Sequence, residues 1–70
     1  MSARVRWERV LGRRWRARHR GWQLWICVEP GTAELRVDVL RGRVQWSRWC
    51  RTELAAKRAG AGLARALAGG

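Results

Sequence analysis

Seventy residues allow one domain, with room for a single layer of sheet covered by one helix. Sixteen basic residues against five acidic ones give a formal net charge of +11, a field that steers toward phosphate backbones or anionic surfaces and opposes self-association. No continuous apolar run follows the basic N-terminus, so the expectation is a cytoplasmic chain without a leader or a membrane span.

The chain reads as a strand-rich body over about 4–49 and a helix over about 53–68. Arg4 to Val10 is predicted as a first strand, with Val5 and Trp7 on one face, and Gly12 as a turn. Arg13 to His19 alternates almost strictly, with Trp15, Ala17 and His19 on one side and Arg14, Arg16 and Arg18 on the other. The apolar parity then shifts to Trp22, Leu24, Ile26 and Val28. A parity change needs a hairpin or a bulge at Arg20-Gly21, and the hairpin is preferred. Glu29-Pro30-Gly31-Thr32 is a turn, with Pro where its fixed φ is wanted and Gly where φ is positive. Ala33 to Leu40 follows with Leu35, Val37 and Val39 inward and Glu34, Arg36 and Asp38 outward. Arg41-Gly42 turns the chain into a last strand from Arg43 to Trp49, with Val44 and Trp46 on its apolar face.

Thr52 is a good N-cap, and Glu53 suits the positive end of the helix dipole. Ala56, Ala59, Leu63, Ala66 and Leu67 fall on one helical face, with Lys57, Arg58 and Arg65 elsewhere. Gly60 and Gly62 each weaken the helix by about 1 kcal/mol relative to Ala. Close approach to bulky Trp residues is the expected compensation. Gly69-Gly70 is a natural stop. The fold class is therefore α+β: an antiparallel sheet of four or five short strands with one C-terminal helix packed on one face.

Catalysis finds little footing. The five acidic residues are scattered, and each has an ordinary place in a turn, a cap or an exposed strand position. His19 is the single histidine and reads as structural. Two cysteines and one histidine do not complete a zinc site, so neither a metal nor a cofactor is expected. Cys27 and Cys50 are expected as reduced thiols, with a disulfide between adjacent strands as the alternative.

Basic and aromatic residues interleave more informatively. Fifteen of the sixteen cations are Arg, as a G+C-rich gene would produce, so the choice of Arg over Lys says little. Codon usage does not explain the shortage of Asp and Glu. On a strand, Arg14, Arg16 and Arg18 recur at about 6.6 to 7 Å, a phosphate-contacting ladder that Arg20 extends. Arg36, Arg43 and Arg48 widen it if they share that face. Of six Trp, Trp7, Trp15, Trp22 and Trp46 have core parity. Trp25 and Trp49 are off register; Trp25 is placed to stack on a base, pair with an Arg or anchor an interface, and Trp49 to cap the helix–sheet junction.

Val44-Gln45-Trp46-Ser47-Arg48-Trp49 followed by Thr52-Glu53-Leu54-Ala55-Ala56-Lys57-Arg58-Ala59 resembles the last strand and helix of AP2-type and phage-integrase arm-binding domains. The early Trp7, Gly12 and Trp15-Arg16-Ala17 are similar to small phage and bacterial proteins of the same layout. The Gly that usually precedes the helix junction is replaced by Ser47-Arg48. The resemblance implies a three-stranded sheet whose free face enters DNA, with Arg14, Arg16, Arg18, Trp25 and Arg43 facing it. The expected function is stoichiometric binding of DNA or RNA by an Arg-rich sheet face. The alternative is a phage-type accessory protein docking on a host protein or ribonucleoprotein, such as a nuclease, polymerase or CRISPR effector, as its inhibitor. Membrane binding is disfavoured by the Gly-rich helix, and an open edge strand would allow a homodimer.

Overall fold

The computed structural model describes residues 5–10 and 14–69, the Arg14 side chain excepted. Five strands form one antiparallel meander in sequence order: β1 (Glu8–Val10), β2 (Arg14–His19), β3 (Trp22–Val28), β4 (Leu35–Arg41) and β5 (Val44–Cys50). One helix, α1 (Glu53–Leu67), follows and packs across one face, mainly over β4 and β3. The layout is α+β.

Local chemistry explains each connection. Arg20 and Gly21 form a two-residue loop with φ of 49° and 85°, and His19 pairs with Trp22 across it. Both loop positions need positive φ, as in the hairpin turns that match strand twist. This loop is the source of the parity shift. Pro30-Gly31 closes the β3–β4 turn, with Gly31 at φ 79° and the Thr32 amide donating to the Glu29 carbonyl at 3.4 Å. Gly42-Arg43 closes the β4–β5 turn, with Arg41 paired to Val44. The Thr52 hydroxyl accepts from the Ala55 amide at 3.1 Å, the N-cap expected from sequence. Gly69 ends the helix at φ 85°.

The core lies between the sheet and α1. Ala17, Leu24, Ile26, Val37 and Val39 fill it from the sheet, Ala56 and Ala64 from the helix, and Trp22 closes one end. Val5, Trp7 and Trp15 pack against its margin. Val5 and Trp7 do so without strand pairing, because β1 begins at Glu8 and not at Arg4. Arg4, Gly12 and Arg13 lie outside the described residues.

Two packing expectations change. The buried helix face is Ala56, Gly60, Ala61 and Ala64; it keeps Ala56 of the expected face but is turned by about one residue around the axis from Ala59, Leu63 and Ala66. Ala66 is exposed, and Leu63 and Leu67 flank the contact. Only small side chains fit where the helix comes closest. A Cβ at Gly60 would stand 3.1 Å from both Trp7 Cη2 and Val37 Cγ1, whereas one at Gly62 would meet nothing within 4 Å. Close approach therefore accounts for Gly60 and not for Gly62. Trp46 and Val44 have the expected parity, yet each is 50% exposed. They sit on β5, the sheet edge, which a helix lying mainly over β4 and β3 covers only in part.

Cys27 and Cys50 are free thiols. They occupy β3 and β5, which β4 separates, and they project from opposite faces, since Cys27 pairs with Arg36 and Cys50 with Leu35. The disulfide alternative does not arise. No described helix is long and apolar enough to cross a membrane.

Candidate nucleic-acid interface

The face away from α1 is organised in rows across the strands. One row runs Glu8–Arg16–Trp25–Asp38–Ser47. Its members engage one another. Arg16 donates from Nε (2.8 Å) and Nη2 to Glu8 Oε1. Its guanidinium also lies 5.8 Å from the centre of the Trp25 ring. Ser47 donates to Asp38 at 2.7 Å, and Arg36 donates from Nε to the same carboxylate at 3.1 Å. Arg36 also reaches Glu29 at 3.2 Å. The Asp38 charge and hydrogen bond, then Glu29, raise the Arg36 pKa above its ordinary value and hold it charged.

These contacts redistribute the predicted site. Arg16 and Trp25 are on the expected face, but each is partnered, and Trp25 is half-buried. Arg18 is exposed on that face with no carboxylate partner among the described residues. Arg14 takes its place in β2 opposite Val10 by its backbone; its side chain lies outside the described set. Arg36 is committed to Asp38 and Glu29 and does not widen a free patch. Asp38, read as an outward residue, has the right parity but is 7% exposed, because Arg36 and Ser47 cover it. Arg48 projects from the opposite face, in register with Val37. Trp49 is on the open face, 51% exposed, and away from the helix junction it was expected to cap.

A different grouping appears at one end of the sheet. The β2–β3 and β4–β5 turns point the same way, since alternate turns of a meander share an end. Arg20 and Arg43 sit in those turns, Arg18 one position inside and Arg41 at the last position of β4. All four are exposed. Strand spacing sets the two turns about 10 Å apart. Arg41 lies 5.9 Å from the Trp22 ring centre and beside Gly21, which ties the two turns together. Next to them, Arg6, Arg16 and Arg18 line a cleft along β2, of about 560 Å³, with Trp7, Glu8 and Ala17.

The five carboxylates are all elsewhere. Glu29 and Glu34 flank the β3–β4 turn and Glu53 starts α1, all at the opposite end. Glu8 and Asp38 lie in the middle row, neutralised by Arg16 and Arg36. Sequence reading grouped cations by strand parity. It missed that the topology brings Arg20, Arg41 and Arg43 to one end of the sheet, although the two Arg/Gly turns are visible in the chain. Among the described residues, no three His, Cys, Asp or Glu side chains come together in a way that could hold a metal ion. No family model, no curated protein and no solved structure matches this chain.

Proposed function

We propose that the protein binds the phosphate backbone of DNA or RNA, stoichiometrically and without catalysis, through the hairpin end of its sheet. One observation carries the reading: Arg18, on the open face, Arg41, on the helix side, and Arg20 and Arg43, in the turns, all lie at an end that holds no Asp or Glu, while every Asp and Glu lies in mid-sheet or at the far end. Uncompensated guanidiniums on a rigid edge attract phosphates and release their counterions. The cleft beside β2 sets Arg6 next to Arg18, with Arg16 in it already paired to Glu8. Phosphate contacts give affinity without sequence information. The resemblance to AP2-type and arm-binding domains points to the same ligand but to the open sheet face. There Arg16, Trp25, Arg36 and Asp38 already satisfy one another, so the end of the sheet is the better surface.

A salt titration of binding to a short duplex and to a single strand tests this. The affinity should fall log-linearly with salt, by about 0.9 in slope for each phosphate contact on a duplex. Arg18→Gln, Arg20→Gln and Arg43→Gln together should flatten the slope by about 2 to 3. Arg41 is left in place because it packs on Trp22. The control variant Arg51→Gln, Arg58→Gln and Arg65→Gln removes the same charge from other exposed positions. Equal losses in the two variants would mean that net charge alone attracts the ligand, and the hairpin end would lose its role.

A further inference from the structure

We propose that the β5 edge and the groove beside it form a docking strip for an extended, acidic segment of a partner protein, which adds a strand to the sheet. Among the described residues β5 pairs on one side only, with β4, so its outer row of backbone N–H and C=O groups has no neighbouring strand there. Natural edges of this length are usually blunted by Pro, Lys, a bulge or a covering element. Over Val44–Cys50 there is no Pro, Lys or bulge, and the one charge, Arg48 on the helix side, is its single guard. Trp46 faces the helix side and Trp49 the open side, each about half exposed.

Between β5 and α1 runs a groove of about 490 Å³, with Trp46 and Arg48 on one wall and Arg58, Gly62 and Leu63 on the other. Gly62 supplies an independent sign. It sits inside a helix, where glycine is unfavourable, and nothing stands within 4 Å of the Cβ it lacks. Internal packing does not require it, and its missing side chain leaves the groove open.

Charge identifies the occupant. No carboxylate lines the groove, and neither Arg48 nor Arg58 has an acidic partner among the described residues. A bare strand edge is complemented by a peptide backbone, which a nucleic acid does not possess. A second copy would bring another +11 and set like charges together. An incoming strand with carboxylates toward Arg48 and Arg58, and apolar side chains beside Trp49, satisfies both faces.

The probe is a fluorescein-labelled peptide of about ten alternating Val and Glu residues, long enough to span the seven of β5. Its control is the same peptide N-methylated at every backbone amide, identical in charge but without an N–H to pair. The first should bind, and the control should bind at least about tenfold more weakly. Gly62→Leu, which fills the groove without altering charge, should weaken the peptide about tenfold or more and leave duplex binding unchanged. If circular dichroism shows that Gly62→Leu is unfolded, Gly62→Gln, which also fills the groove without altering charge, takes its place with the same expectation. Equal binding of the two peptides, or no effect of the groove variant, overturns the proposal in favour of plain charge attraction. A concentration-dependent dimer in sedimentation that Gly62→Leu abolishes overturns it in favour of a second copy. Duplex binding reports on the hairpin end alone, so either reading can fail without the other.

Discussion

Two glycines one turn-half apart in the same helix illustrate how context sets the sign of a substitution. Replacing Gly by Ala inside a helix gains about 1 kcal/mol from backbone entropy. At Gly62 nothing opposes that gain, since a Cβ there meets open space. At Gly60 the new methyl is caught between Trp7 and Val37, both at 3.1 Å. Val37 is buried in the sheet and, being β-branched, has little rotamer freedom to withdraw. Overpacking of this kind costs about 1 to 3 kcal/mol, which exceeds the helical gain. Thermal or urea denaturation should therefore show Gly62→Ala stabilised by about 1 kcal/mol and Gly60→Ala destabilised by about 1 kcal/mol. Two substitutions of the same sign would mean that the helix can shift away from the sheet.

At the scale of elements, the β2–β3 hairpin holds the one described non-glycine residue with positive φ, Arg20 at 49°. Arg is a poor choice there, because its Cβ crowds the backbone in the left-handed region. Asn followed by Gly is the preferred pair for such a loop. Arg20→Asn should thus raise stability by about 0.5 to 1 kcal/mol while weakening duplex binding, both measurable on one preparation. A residue that holds strain and is used for binding fits the usual trade between stability and function. The elements themselves were largely legible. Period-two alternation from Arg14 to Val28 and again from Leu35 to Val39 placed β2, β3 and β4 and their buried faces, and Thr52 marked the start of α1. Lateral position was not legible. Parity says that Trp46 faces the helix side, but only the strand order shows that β5 is an edge the helix covers in part. The helix face was legible at Ala56 but not beyond it: Leu63 and Leu67 are expected inward, whereas the tightest contact accepts only Ala and Gly, at Gly60, Ala61 and Ala64.

Over the whole molecule, what the sequence could offer for the site was the +11 charge and the alternation along β2. Arg36 and Asp38, two residues apart on β4, share a face by parity alone, but the pairing of Glu8 with Arg16 crosses strands and emerges only from register. The segregation that results has a thermodynamic consequence. Arg18, Arg20, Arg41 and Arg43 lie within a few turns' width of one another with no carboxylate between them, so folding brings like charges closer than in the extended chain. That repulsion acts against the native state and is screened by salt, over about 30 Å at 0.01 M and about 8 Å at 0.15 M. The melting temperature of the free protein should therefore rise between about 0.01 and 0.15 M salt, before specific salting-out effects enter. The Arg18, Arg20 and Arg43 triple Gln variant should melt higher at low salt and respond less to added salt. A short duplex at low salt should reproduce the stabilisation in the parent protein and only weakly in the variant, because a ligand that binds the native state shifts its melting by mass action. Differential scanning fluorimetry across the salt series, with and without duplex, checks all three. A parent protein whose melting temperature is flat or falling over that range would show that its cations are already compensated. The hairpin end would then not be the strongly attractive surface described above.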